Sequence, residues 1–232
     1  IQTSLVGSEM CIRDRIRQTI LGKDKYAKVS FASNMDETFL TSWKPGGTMI
    51  GASGRWASRV KNYGNDKMGR WSWMDMRGKK GRLIRVISAY RVSQDSYKQA
   101  GETTSCKQQV RSLMLRGVRK PNPKKRFLTD LSAMLTAWRK DKPNHDIILM
   151  ADMNEYIGDT KDLYDFCQHN NLIDTVSLLN PDLMEDPTYL WGSKRIDYIL
   201  VSPPLAELAL KAGHHQYHQH FISDHKGVYI QF

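Results

Sequence analysis

Three short polar segments interrupt apolar runs in the C-terminal part of the sequence. Asp152 and Asn154 follow the run DIILM, Asp197 stands inside RIDYILV, and Asp224 with His225 precedes KGVYIQF. Side chains two positions apart point to the same face of an extended chain, so Asp152 and Asn154 are expected to share a pocket. A carboxylate inside an apolar strand is costly unless it is paired, hydrogen-bonded or close to a metal ion. The segments therefore predict a polar site at the ends of buried strands.

Each segment also has a plainer interpretation. An Asp-x-Asn sequence after a strand is common turn chemistry, and an Asp-His pair is compatible with a solvated loop histidine. Arg195 lies two positions before Asp197 on the same face of the strand, so an Arg195–Asp197 ion pair is the structural alternative there. The three segments together favour one functional site, because each stands at the edge of a buried strand.

The residue types in this set suit one kind of chemistry. Carboxylate oxygens are the ligands of hard Mg²⁺, which neutralises phosphate charge and lowers the pKa of bound water. Amide and imidazole groups hold phosphate oxygens without adding negative charge. Each donor aimed at developing charge contributes on the order of 3 kcal/mol. The set predicts hydrolysis of phosphate esters with a bound Mg²⁺ or Mn²⁺.

The elements that must position these residues follow from the hydrophobic pattern. β-rich runs separated by Gly-marked turns predict an antiparallel meander in the centre of the chain, and helical spacing appears twice before the DIILM strand. Strands are predicted at 28–33, 55–63, 70–77, 81–90, 146–150, 195–202 and 226–232, and helices at 105–116, 125–140 and 160–169. Mixed strands and helices with several hairpins favour an α+β sandwich over a doubly wound parallel sheet.

Charge is distributed unevenly along the chain, whose net charge is +11. Residues 51–126 hold 20 Lys/Arg against 4 Asp/Glu, and residues 141–232 hold 6 against 14. This distribution suits a protein in which the basic region binds a polyanion and the acidic region cleaves it. The alternative is that the basic residues form a solvated surface with no ligand. The basic residues taken as candidate DNA contacts are Lys79, Lys80, Lys124, Lys125 and Arg195.

Other features of the sequence carry less information. The three cysteines have no metal-ligand spacing, and no apolar run reaches membrane-spanning length, so no membrane association is expected. The histidine-rich segment at 214–220 lacks a regular ligand pattern. The tryptophans Trp56, Trp71, Trp73 and Trp138 are expected to pack in the core or on the sheet.

The motifs ADMN, RIDYIL and SDH, in this order and at these separations, resemble the endonuclease/exonuclease/phosphatase superfamily over about residues 29–232. The basic middle, with KPGGT, GRW, RWSW, SAY and PNPKK, is most similar to endonuclease domains associated with reverse-transcriptase mobile elements. The resemblance implies a four-layered α/β-β/α sandwich of two mostly antiparallel sheets flanked by helices.

The resemblance also implies a role for each motif residue. Asp152 would orient or deprotonate the attacking water and contact the metal, and Asn154 would hold a phosphate oxygen. Asp224 would help to bind Mg²⁺ or Mn²⁺. His225, oriented by Asp197, would donate hydrogen bonds to the scissile phosphate.

Some positions depart from the family's pattern. Tyr90 corresponds to its phosphate-contacting tyrosine, but Ala151 replaces a glycine and Ser93 replaces an asparagine found in some members.

The family's first strands, which end in Asn and carry Gln-Glu with the main metal ligand, do not appear before residue 28. Residues 1–15 resemble a library linker or a disordered arm, so residues 16–232 are expected to form a domain that lacks those strands.

Three functions are consistent with these patterns. The leading one is an endonuclease that cleaves DNA, linked to or encoded beside a reverse transcriptase and therefore intracellular, with a nuclear location plausible. The second is a small-molecule phosphoesterase of the same superfamily. The third is a non-catalytic nucleic-acid-binding remnant. The patterns predict no particular oligomeric state.

Overall fold

The computed structural model describes residue 22 and residues 24–35, 46–94, 101, 103–141, 145–219 and 223–232. The predicted linker-like segment at 1–15 lies outside these residues. The strands are β1 Lys28–Ala32, β2 Thr48–Ala52, β3 Val60–Asn65, β4 Trp71–Arg77, β5 Leu83–Tyr90, β6 His145–Asp152, β7 Ile173–Asp174, β8 Asp197–Val201, β9 Lys211–His214 and β10 Val228–Gln231. The helices are α1 Ser105–Leu115, α2 Pro123–Asp141, α3 Lys161–His169, α4 Thr175–Leu179 and α5 Pro203–Ala206.

Six strands form a central mixed sheet in the order β3-β4-β5-β6-β8-β7. The meander predicted for the centre of the chain is confirmed, because β3, β4 and β5 are consecutive antiparallel neighbours. Strands β5 and β6 are parallel, and α1 and α2 occupy the crossover between them. Two further two-stranded sheets, β1-β2 and β9-β10, are antiparallel.

Apolar residues cover both faces of this sheet. On one face α2 and α3 pack against β5, β6 and β8, and the helical spacing predicted for α2 places Phe127, Leu131 and Leu135 in the core. On the other face the sheet packs against β2 near Met74 and against β10 near Ile199. The chain is thus an α+β sandwich, with α2 and α3 on one side of the large sheet and the small antiparallel sheets on the other.

Most predicted elements agree with the structure, with identifiable exceptions. Strand β7 has only two residues, and β9 reads KAGH, so neither carries a repeating pattern that a sequence reading could detect. The predicted strand at 55–63 begins instead with a 3-10 turn at Gly54–Arg59. Among the described residues, no helix has both the length and the apolar character that crossing a membrane requires.

Candidate active site

Three neighbouring strands bring Tyr90, Asp152 and Asp197 side by side at one end of the central sheet. Tyr90 ends β5 and is in register with Asp152 at the end of the parallel strand β6. Asp197 begins β8 and is in register with Asp152 on its other side, because β8 runs antiparallel to β6. This end of the central sheet therefore brings together polar side chains that are up to 107 positions apart in the sequence.

A short antiparallel bridge to Tyr189 places His225 at the same end of the central sheet. On either side of the bridge, the Leu190 N–H donates to the Asp224 carbonyl at 2.8 Å, and the N–H of residue 226 donates to the carbonyl of residue 188. The hydroxyl of Thr188 accepts the backbone N–H of Asp197 at 3.1 Å. These hydrogen bonds hold the loop that contains His225 next to Asp197, the first residue of β8.

Asp152, Asp197 and His225 form a compact cluster whose ligand atoms all lie within 4.8 Å of one another. His225 Nδ1 is 2.9 Å from Asp197 Oδ2. Because a carboxylate only accepts, Nδ1 donates here, and Nε2 is left for a second contact. Burial lowers the pKa of His225, but the hydrogen bond and charge of Asp197, with the charge of Asp152, outweigh burial and raise it to about 9.

Asp152 carries the least compensated negative charge of the cluster. Burial and the neighbouring Asp197 carboxylate raise the pKa of Asp152 to about 7, although the charge of His225 and the N–H of Asn154 act in the opposite direction. A bound divalent cation would relieve the repulsion between the two carboxylates. The oxygen donors and the unrelieved charge therefore fit a hard cation such as Mg²⁺ or Mn²⁺.

The turn after β6 places Asn154 in the same pocket, as predicted, but not through extended chain. Asn154 has a positive φ of 49°, a conformation that asparagine tolerates better than most residues. Its N–H donates to Asp152 Oδ1 at 2.9 Å, and its side-chain amide donates to the Arg91 carbonyl at 2.8 Å. Burial raises the pKa of Tyr90 to about 12, and Tyr90 shares a hydrogen bond with the Asn154 side chain. The phenol is therefore a hydrogen-bonding group rather than a base.

Asp224 lies beside this cluster but is not one of its three ligand residues. Its charge raises the pKa of both Asp152 and His225, although it is the smallest contribution in each case. Its side chain is half-buried, and its backbone carbonyl accepts the Leu190 N–H next to the Tyr189–His225 bridge.

A buried ionic network that the sequence reading missed supports the Asn154 turn. Glu155 accepts from Arg91 Nη1 at 3.1 Å and from Lys124 Nζ at 2.9 Å, and it also binds the Thr160 hydroxyl. Arg91 further donates to the Met153 carbonyl at 3.3 Å. The sequence contained one indication of this network. Arg91 follows SAY and Glu155 follows ADMN, so two opposite charges come directly after two strands that are neighbours in the sheet.

Several predicted DNA contacts are not at this site. Lys124 is 9% exposed and its ammonium is held by Glu155, so it does not face a ligand. Arg195 is 1% exposed, and it pairs with Asp174 instead of Asp197, because it precedes β8 and turns toward α4. The structure thus corrects both the proposed Arg195–Asp197 pair and the surface role of Arg195.

The lysines that remain exposed differ in location. Lys125 is exposed, and its Nζ lies 3.3 Å from Asp162 Oδ2. Lys79 and Lys80 lie in the β4-β5 connection, beyond Leu83 at the opposite end of β5 from Tyr90. An eight-residue strand spans roughly 25 Å, so these two lysines are far from the clustered carboxylates.

No protein-family model matches the chain, and no curated protein does either. Solved structures do match. An AP endonuclease from Archaeoglobus fulgidus has a TM-score of 0.55 and 14% identity, covering 97% of this chain and 96% of that chain. The 3' phosphatase NExo from Neisseria, bound to a product DNA hairpin, has a TM-score of 0.53 and 16% identity, with the same coverage of 97% and 96%.

An endonuclease/exonuclease/phosphatase family protein from Bacteroides thetaiotaomicron has a TM-score of 0.52 and 12% identity, covering 92% of this chain and 78% of that chain. At these identities the likeness is one of fold. The chain has the α+β sandwich fold of these proteins, which is the fold that the sequence resemblance implied.

Proposed function

We propose that this chain is a metal-dependent phosphodiesterase that acts as an endonuclease on DNA. The observation that carries the proposal is the cluster of Asp152, Asp197 and His225 at the sheet edge, with its 2.9 Å His–Asp hydrogen bond. The fold is also that of an AP endonuclease and of a phosphatase solved with DNA. A carboxylate beside a carboxylate-oriented imidazole suits hydrolysis of a phosphate ester.

Each residue has a distinct task in the proposed reaction. Asp152, a buried carboxylate in the same cluster as His225, accepts the proton of the attacking water. His225, whose pKa is raised by the hydrogen bond and charge of Asp197, donates from Nε2 to a phosphate oxygen, while Asp197 holds the ring through Nδ1. Asn154 and Tyr90 bind the phosphate from the other side.

A divalent metal at this site would neutralise phosphate charge and lower the pKa of the attacking water. Asp152 and Asp224 would hold it.

The biological setting follows from the motif resemblance rather than from the fold. The proposed substrate is DNA, and the proposed setting is a retroelement endonuclease acting beside a reverse transcriptase, in the nucleus of its host. Residues 16–232 would form the endonuclease domain.

Nicking of a supercoiled plasmid tests this function. With Mg²⁺ or Mn²⁺ the chain should convert the plasmid to the open-circular form, and Asp152→Ala should abolish the conversion. Asp162→Ala is the matched control, because Asp162 is an exposed carboxylate on α3. Cleavage of soluble phosphoesters alone would indicate a small-molecule phosphoesterase. Salt-dependent DNA binding without hydrolysis, even in high Mn²⁺, would indicate a non-catalytic binding protein.

A further inference from the structure

A second charged surface lies at the end of the central sheet opposite the clustered carboxylates. We call it the basic edge. It combines the 3-10 turn Gly54–Arg59 with the edge strand β3 and the β4-β5 connection. Its exposed members are Arg55, Trp56, Arg59, Lys61, Arg77, Lys79, Lys80 and Arg82.

These residues form one continuous surface. Arg59 Nη1 donates to the Arg77 carbonyl at 3.3 Å, which joins the 3-10 turn to the β4-β5 connection. The next residue, Val60, is in register with Met76 on β4. Ala57 is 3% exposed and anchors the turn, so the other side chains of the turn project outward.

Trp56 lies on this surface, which corrects the prediction that this tryptophan packs in the core or on the sheet. It is 50% exposed. The guanidinium groups of Arg55 and Arg59 lie 5.1 Å and 5.6 Å from its ring centre, within cation–π distance. A large apolar ring that is half exposed and has two guanidinium groups nearby is suited to stacking on another flat ring.

Positive charge dominates the basic edge. Among the residues that the structure describes, two carboxylates reach it: Asp146 pairs with Arg82 at 2.7 Å, and Asp24 accepts the Gly54 N–H at 2.7 Å. Asp75 is fully buried and pairs with Arg85 inside the sheet. The remaining arginines and lysines are available to a polyanion.

We propose that the basic edge binds single-stranded nucleic acid, with an unpaired base stacked on Trp56 and flanking phosphates on the surrounding arginines and lysines. Cationic side chains around an exposed aromatic ring provide both interactions that single strands require. A base inside a duplex is stacked between its neighbours and has no free face to offer, so a duplex gains only the charge contribution. This surface lies about 25 Å from Asp152 and acts independently of the proposed hydrolysis.

Fluorescence anisotropy with a labelled 20-nucleotide oligo(dT), in EDTA to prevent cleavage, tests the proposal. We expect Trp56→Ala to raise the Kd for the oligonucleotide about 10-fold and Trp56→Phe to retain most of the affinity. Binding to the matching duplex should change far less. Arg55→Ala/Arg59→Ala should weaken single-strand binding and reduce its dependence on salt.

Matched controls separate stacking and local charge from general effects. Tyr164→Ala removes an exposed aromatic ring from α3, and Lys161→Ala/Lys211→Ala removes two exposed charges elsewhere. Neither should change the Kd by more than about twofold, and circular dichroism checks that every variant is folded. An unchanged Kd in Trp56→Ala, or an equal loss for duplex, overturns the proposal.

Photocrosslinking locates the bound strand. An oligonucleotide containing 5-iodouracil should crosslink to the peptide that contains Trp56, identified by mass spectrometry. Crosslinks confined to the neighbourhood of His225, or binding to anionic vesicles without binding to the oligonucleotide, would refute the proposal. Because the assay contains no free metal, its failure leaves the plasmid-nicking test unaffected, and the converse also holds.

Discussion

Replacing Glu155 by glutamine should destabilise the fold strongly while leaving its shape intact. Glu155 is 8% exposed, and it is the counter-ion of both Arg91 at 3.1 Å and Lys124 at 2.9 Å. Glutamine keeps the size of the side chain but removes the negative charge that Arg91 and Lys124 both contact. Removing one partner of a buried pair costs roughly 3–5 kcal/mol. For a chain of this length, each kcal/mol shifts Tm by about 2–4 °C, so we expect Tm to fall by roughly 6–20 °C.

Thermal unfolding followed by circular dichroism, together with urea titration, measures this loss. Asp159→Asn is the control, because it removes a carboxylate from a pair with Lys194 in which both side chains are at least one-third exposed. Such surface pairs contribute about 0–1 kcal/mol. A loss below about 1 kcal/mol in Glu155→Gln would refute the argument that the network stabilises the turn at the site.

The same substitution should alter the acid sensitivity of the protein. Burial raises the pKa of Glu155, but hydrogen bonds from Thr160 and Lys124 and the charge of Arg91 lower it overall. A carboxyl whose folded pKa is lowered stabilises the fold above its unfolded pKa, and this contribution is lost as pH falls toward the folded value. Urea midpoints between pH 3 and pH 6 should therefore fall less steeply in Glu155→Gln than in the wild type.

Three further outcomes follow from other groups. His225→Ala should slow single-turnover plasmid nicking by about 10²–10³-fold, because it removes a donor aimed at the phosphate; a loss under tenfold would contradict that role. Burial lowers the pKa of His214 despite the nearby Asp186 carboxylate, so His214 stabilises the fold above its unfolded pKa of about 6.5 and less at lower pH; between pH 7.5 and 5 the urea midpoint of the wild type should therefore fall relative to that of His214→Phe. Burial raises the pKa of Cys167 to about 12 and also raises that of Cys106, so mass spectrometry should find both unmodified by iodoacetamide until the protein is unfolded.

The sequence identified the parts of the site that depend on local pattern. An apolar run followed at once by Asp152 indicates where a buried strand ends, and the β-rich runs separated by Gly-marked turns indicate the meander of β3, β4 and β5. The ends of such strands must meet when the strands are neighbours in one sheet. Asp152 and Asp197 could therefore be assigned to one site before their register was known.

The partners of charged residues could not be predicted in the same way. Arg195 and Lys124 both looked like surface cations, yet each neutralises a carboxylate that only the tertiary fold brings near, Asp174 and Glu155 respectively. Trp56 shows the opposite error, because its apolar ring predicts burial while the 3-10 turn directs it outward. Local sequence does not encode which side of a turn faces the core.

The parallel pairing of β5 with β6 has a consequence for how the protein folds. Tyr90 and Asp152 become neighbours only after the chain closes a loop of about 60 residues, and His225 joins them from near the C-terminus. Pairings this distant in sequence form slowly, since the entropy of closure is lost before the contacts compensate for it. During refolding, the local β3-β4-β5 meander should form early and the proposed hydrolytic activity should return last, because the site forms only when these distant segments have met.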